Sequence, residues 1–212
     1  ELDGDAAKQR WVFTAADGRY LVGSFDGAAF KPEQPLQRVD YGANFYAVQT
    51  YSDAPDGRRV QIAWMRGGKY PEMPFNQQMS FPAELTLRTT ADGPRLFRMP
   101  VREIALLRAK AHQWQDVAIT PGENPLKDVA GEFFDISAEI EVGDAAEVGL
   151  NVRGQEVVYN VTEGKLRGLG EALLVLKDGR LRLRVLVDRT SIETFAEGGM
   201  VSVTGCFLPR GK

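Results

Sequence analysis

The sequence predicts an all-β protein, because of its turns, its short strand-like runs and one clear alternation. Tight-turn dipeptides recur along the chain, at Asp17-Gly18, Asp56-Gly57, Asp92-Gly93, Glu163-Gly164, Asp178-Gly179 and Gly198-Gly199. Such pairs supply the positive-φ residues that short hairpin loops need. Between them lie the runs RWVFTA, RYLVGSF, FYAVQTY, RRVQIAW and AELTLR. Turns this frequent between short strands argue for a propeller, barrel or sandwich rather than βαβ units.

The alternation lies in the second half. In FDISAEIEV, Phe134, Ile136, Ala138, Ile140 and Val142 fall on one face, and Asp135, Ser137, Glu139 and Glu141 on the other. In RLRLRVLVD, Leu181, Leu183, Val185 and Val187 oppose Arg180, Arg182 and Arg184. Period 2 of this kind gives a strand one dry and one wet face. Two such sheets packed together make a sandwich. The one helix-like stretch is PVREIALLRAKAHQW, Pro100 to Trp114. Pro100 can begin a helix, and Ile104, Leu107 and Ala111 form a narrow apolar stripe. We read it as a short helical or irregular connector. It divides a first part, residues 1–105, from a second, residues 115–212, with 106–114 as the linker.

A chain of 212 residues can bury a sizeable core. Its 43% hydrophobic and 26% charged residues are ordinary for a globular protein. Net charge is −3 and no basic stripe is visible, which argues against a nucleic-acid partner. No apolar run approaches the roughly 18 residues of a membrane span. ELDGDAAKQRW at the N-terminus has no apolar signal core, which leaves location open. The single cysteine, Cys206, excludes an intrachain disulfide; in VSVTGCFLP it reads as a small strand residue rather than a reactive thiol. The single histidine, His112, has no metal-ligand spacing around it and no nucleophile elbow to serve, so it reads as a linker residue. Phosphate-loop, dinucleotide and EF-hand patterns are missing, so neither cofactor nor metal is expected.

Carboxylate pairs are one chemistry that an all-β protein can carry. A glycosidase needs one carboxyl as acid and a second as base or nucleophile, roughly 5 Å apart in retaining enzymes. The first part offers Asp26, Asp40, Glu72 and Glu84. Asp26 sits in a turn before glycine, Glu72 in a proline-rich loop and Glu84 at a strand start; none has a spacing that specifies catalysis. Asp188 and Glu193 in DRTSIETF are five apart, so a regular strand would point them to opposite sides. A turn contact, such as Asp188 with Arg189 or a neighbouring amide, is the simpler reading. Aromatic residues are dense in the first part, at Tyr20, Phe25, Tyr41, Phe45, Tyr46, Tyr51, Trp64 and Tyr70. Most are expected in the core, and two or three beside a pocket.

Several ordered segments carry a resemblance. RWVFTAADGRYLVGSFDGAAFKPE, DYGANFYAVQTYSDAPDGRRVQIAWM, MPFNQQMSFPAELTLR with RLFRMPVREIALLR, and LVDRTSIETFAEGGMVSVTGCFLP span nearly the whole chain. Together they resemble glycoside hydrolase family 32, the invertases, inulinases and levanases, with MPFNQQMSFPAEL nearest in wording to bacterial levanases and exo-fructosidases. The resemblance implies the last blades of a five-bladed β-propeller in residues 1–105, followed by a C-terminal β-sandwich in 115–212 that stops a strand or two short. It implies retaining hydrolysis of β-fructofuranosyl bonds in sucrose, inulin or levan. The family's nucleophile motif (WxNDPN-like), its Arg-Asp-Pro motif and its acid/base motif (Glu-Cys-Pro-Asp-like) do not occur in this sequence. The expectation is therefore a fragment without its catalytic carboxylates, inactive alone.

By the same resemblance Tyr46 lines the fructose pocket, Asn44 replaces a common Asp as a hydroxyl-bonding group, and Trp64 lies near the pocket floor. Gly68 stands where some relatives have a second Trp, with Tyr70 as a substitute platform, and Ala83 replaces a common Arg. Expected partners are a fructan or sucrose for the whole enzyme, with self-association or a separate chain supplying the missing blades, and no nucleic acid or membrane. Location stays open; a secreted or periplasmic site is the expectation for the whole enzyme, since polymeric fructans do not enter cells. The alternative is a non-catalytic carbohydrate-binding or interaction module built on the sandwich.

Overall fold

The computed structural model describes residues 1–71, 73–120 and 122–209. Each expected turn dipeptide sits between strands. Gly18 at φ 82° and Gly93 at φ 97° occupy the left-handed region that favours glycine, and each closes a hairpin.

The first part holds two antiparallel sheets. The first contains β1 (Trp11–Thr14), β2 (Arg19–Phe25), β3 (Phe30–Pro32) and β4 (Gln37–Arg38), with β1, β3 and β4 all paired to β2. The second contains β5 (Phe45–Thr50), β6 (Arg59–Met65), β7 (Gln78–Met79), β8 (Ala83–Thr90) and β9 (Gly93–Pro100), in the order β5-β6-β8-β9 with β7 also on β6. One face of the first sheet, Val12, Tyr20 and Val22, packs with Val39 against Leu87 and Leu96 of the second. These are the blade-like layers expected of a propeller.

A 3-10 turn, Arg102–Leu107, follows β9. It is shorter than the stretch from Pro100 to Trp114. Pro100 ends β9 instead of opening the helix, and Ile104 is buried while Leu107 is 74% exposed. A two-turn 3-10 segment has no length to bury a stripe. From Arg108 to Phe133 the described residues form no strand, in keeping with a Pro- and Gly-punctuated segment without alternation.

The second part is a sandwich of two four-stranded antiparallel sheets. Its strands are β10 (Phe134–Glu141), β11 (Glu147–Val152), β12 (Gln155–Asn160), β13 (Lys165–Gly168), β14 (Gly170–Leu173), β15 (Arg180–Val187), β16 (Ser191–Ala196) and β17 (Val201–Cys206). The sheets run β10-β15-β16-β17 and β11-β12-β13-β14. The register pairs Ile136 with Val185 and Ala138 with Leu183, which turns the apolar sets of both strands inward together. They join Leu166, Val157 and Tyr159 of the facing sheet in one core. Full burial of a Leu or Val side chain there stabilises the fold by about 1.5–3 kcal/mol. On the outer face Glu139 meets Arg180 and Arg182 at 2.8 and 3.2 Å.

The two parts are stitched through backbone. Ser202 N–H donates to Val39 and Tyr41 N–H to Ser202, both at 2.8 Å, and Ala43 N–H donates to Leu169 at 3.1 Å. The segment Val39–Asn44 thus runs along β17 and touches β14, one strand of each sandwich sheet. Side chains cannot intrude here: a Cβ on Gly42 would stand 1.9 Å from the Thr204 carbonyl oxygen. No helix among the described residues is long and apolar enough to cross a membrane.

Candidate functional site

Two of the residues that the resemblance singles out lie side by side on the second sheet. Tyr46 on β5 and Trp64 on β6 are cross-strand partners, with ring centroids 6.3 Å apart in an edge-on arrangement. The pleat puts them on one face, and Met79 of β7 stands opposite Trp64. The Arg66 guanidinium lies 4.0 Å from the Tyr46 ring centroid, a cation–π contact. The register shifts after Tyr46, where Ala47 takes φ 48°. Such a bulge re-aims neighbouring side chains. Both rings are half-buried, so each keeps surface on which the C–H face of a sugar can lie.

Asn44 and Tyr70 lie elsewhere. The Asn44 amide donates to the Arg66 carbonyl at 2.7 Å and accepts from Cys206 N–H at 2.8 Å, which ties β5 to β17. Tyr70 is only 4% exposed, so it is not the open platform expected of it. Its ring packs 5.5 Å from Phe75, and burial pushes its hydroxyl's pKa up. A glycine at 68 is required by it: a Cβ there would stand 2.4 Å from the Tyr70 hydroxyl. Cys206 ends β17 with a free, half-buried thiol whose pKa burial raises. His112 stacks on Trp114 in the strandless segment. Ala83 is fully buried.

The candidate carboxylates mostly serve local structure. Asp26 accepts from Ala28 and Ala29 N–H at 2.8 Å each, and these bonds lower its pKa. Asp188 accepts from Arg189 N–H at 2.6 Å, the turn contact expected. Glu84 lies 4.0 Å from Arg58. Glu72 lies outside the described residues.

Asp40 and Glu193 do come together, in a setting the sequence did not announce. Arg98 of β9 reaches Asp40 at 3.4 Å and Glu193 at 3.2 Å, and neither Arg98 nor Asp40 exposes any side-chain surface. Thr204 Oγ1 donates to Asp40 at 2.6 Å, and Phe81 N–H donates to Glu193 at 2.6 Å. Burial raises the Glu193 pKa, with Arg98 pulling against it. A cation stands between the two acids and their side chains are at most 1% exposed, so they clamp the two parts together rather than flank a glycosidic bond. Arg98 is the residue that sequence reasoning missed. Its signal is its place in LFRMP, where a charge within a strand of apolar neighbours needs buried partners. Among the described residues no group of three or more His, Cys, Asp or Glu is arranged to hold a metal ion.

Comparison with known proteins assigns this geometry to a family. Residues 9–100 match the family model described as glycosyl hydrolases family 32 N-terminal domain, and residues 103–212 match glycosyl hydrolases family 32 C terminal. The chain belongs to glycosyl hydrolase family 32. A levanase of Bacillus subtilis (strain 168) is 32% identical over 98% of this family 32 chain and 37% of the relative. An extracellular exo-inulinase of Aspergillus ficuum is 23% identical over 98% of the chain and 48% of its own length. Among solved structures, an exo-inulinase from Aspergillus awamori superposes with a TM-score of 0.78 at 20% identity, over 99% of this chain and 50% of that one. The family 32 chain thus spans between about a third and a half of the length of these relatives.

Proposed function

We propose that this chain is the trailing part of a retaining β-fructosidase acting on terminal β-fructofuranosyl bonds of levan, inulin or sucrose. In this reading Tyr46 and Trp64 form one wall of the fructose pocket, Asn44 holds the neighbouring backbone, and Tyr70 packs with Phe75. The chain alone does not hydrolyse these sugars. The observation that carries this reading is the burial of Asp40 and Glu193 around Arg98. Among the described candidate carboxylates they are the one pair brought to a common partner, and their buried side chains cannot reach a substrate. Without an acid and a nucleophile there is no route to protonate the leaving oxygen or capture the fructosyl cation. Stacking alone does not supply the roughly 8 kcal/mol or more of barrier reduction typical of enzymes. Assay of the purified chain on sucrose, inulin and levan tests this: no turnover is expected, and robust hydrolysis would defeat the reading.

A partner completes the picture. Trp11, Phe13, Phe25 and Phe30 share the outer face of the first sheet, where Trp11 and Phe25 meet edge-on at 5.2 Å. Trp11 is 58% and Phe13 65% exposed. An uncovered aromatic sheet face of this kind is a docking surface, and we assign it to further propeller blades or, in their absence, a second copy of the chain. The second reading is carbohydrate binding without catalysis, favoured not on the sandwich but on the second sheet of the first part, by the exposed surface of Tyr46 and Trp64. Calorimetry with fructan oligosaccharides separates the two: saturable binding lost in Trp64→Ala and Tyr46→Ala supports a binding role without turnover.

A further inference from the structure

An open groove of about 520 Å³ lies away from the Tyr46–Trp64 face, lined by Arg19, Leu36, Gln37, Arg38, Tyr41 and Arg95. Its volume falls within the roughly 300–1,000 Å³ of small-molecule sites. The chain order brings its cations together: Arg19 opens β2, Arg38 is its cross-strand partner on β4, and Arg95 comes from β9. Gln37 bridges the two sheets by donating to the Pro94 carbonyl, which sets β4 beside β9. Like charges opposed across a ladder repel, so this arrangement calls for an anion.

The protein's own acids do not supply enough charge. Asp17 is 2.9 Å from Arg19 and 3.4 Å from Arg38, one carboxylate for two guanidiniums. Arg95 forms no ion pair among the described residues. The Nε atoms of Arg38 and Arg95 are buried and have no hydrogen-bond partner. With no accessible surface those two N–H groups face no ligand, so what the groove offers an anion is the outer guanidinium nitrogens, where one carboxylate serves two of the three cations. Guanidinium is the group that best matches a planar or tetrahedral oxyanion. The remaining walls are apolar in part. Tyr41 presents a ring with Arg38 5.8 Å from its centroid, and Leu36 is exposed beside it. A ring next to cations suits a sugar's C–H face with a charge at one end.

We propose that this groove binds an anionic saccharide, a sugar ring carrying a phosphate or carboxylate that Arg38 and Arg95 grip while Tyr41 takes the ring. It shares no lining residue with the Tyr46–Trp64 face and does not depend on the proposed hydrolase role. The test is calorimetry on the full chain with fructose 6-phosphate, galacturonate, inorganic phosphate and fructose as separate probes. Saturable binding of at least one charged sugar is expected, tighter than inorganic phosphate and absent for fructose. Arg95→Gln should weaken it by about tenfold or more, the loss of one charge-assisted hydrogen bond. Arg38→Gln should act alike, while Arg180→Gln, on the outer face of the sandwich, should leave it unchanged. Arg95 lies against the buried Tyr20 hydroxyl, so a melting curve for each variant accompanies its titration and shows that it is folded at the assay temperature. Absence of binding by both charged sugars, equal binding of inorganic phosphate or fructose, or affinity unchanged in both groove variants would each overturn the proposal.

Discussion

Arg98 and Glu193, from opposite parts of the chain, meet at 3.2 Å with 0% and 1% of their side chains exposed. The pair sits in a buried network: Asp40, Thr204, Ser80 and the Phe81 amide bond to its two ends, and of the Arg98 nitrogens only Nε is left without a partner. Removing the cation strands two buried carboxylates. Arg98→Met is therefore expected to destabilise the chain by about 3–5 kcal/mol, the range for breaking a buried pair by losing one partner. Urea unfolding checks it. Glu193→Gln should cost less near neutral pH. Because its folded-state pKa is raised, the charged form is the disfavoured one there, and its contribution to stability declines as pH rises above the ordinary glutamate range.

A second carboxylate gives the opposite sign. Arg58 donates to both oxygens of Glu103, at 3.1 and 2.7 Å, and holds its pKa at about 2 against an ordinary 4.5. A depressed folded-state pKa adds stability above the unfolded value and loses it as pH falls toward the folded one. The difference in melting temperature between parent and Glu103→Gln should hence be largest above pH 4.5 and shrink on acidification toward pH 2. A gap independent of pH would contradict this.

Gly42 is predicted to be intolerant of any side chain. An added Cβ meets the Thr204 carbonyl at 1.9 Å, and backbone on both sides of the contact is fixed by the ladder. Gly42→Ala should destabilise by about 1–3 kcal/mol or more, as overpacking does. The expected signature is faster proteolysis in the strandless segment after Arg108, because the two parts separate before either unfolds.

The outer face of the first sheet gives a prediction for solution behaviour. Replacing Trp11 and Phe13 by serine removes aromatic surface that is already exposed, so stability should change little. Light scattering should then report a smaller particle for the variant than for the parent. Identical particles would mean that this face is not what brings copies together.

Much of the fold was legible because strand alternation and turn chemistry are local. The inward set of β10 and β15, and the glycines at 18, 93, 164, 179 and 199, follow from neighbours in sequence. Tyr46 and Trp64 lie in one hairpin, but the resemblance singled them out one by one, and only the bulged register shows them as partners. The burial of Tyr70 was not legible: it depends on Phe75 and on Gly68, whose missing side chain lets the hydroxyl approach. Asn44 could not be placed either, because its partner, the amide of Cys206, is 162 positions away. The Asp40–Arg98–Glu193 cluster draws on three segments far apart in the chain. No local rule brings such residues together, although the isolated arginine in LFRMP signalled that partners had to exist.

The seam at Val39–Asn44 bears on any attempt to exchange modules within this family. Those residues precede β5 in the chain, yet their backbone completes β17, and Ala43 hydrogen-bonds beside β14. A sandwich transplanted from after Arg102 would leave that borrowed edge behind, with the amide of Ser202 and the carbonyl of Leu169 facing water. A working chimera must carry the hexapeptide with its sandwich, so the natural joint for recombination lies upstream of Val39 and not at the linker.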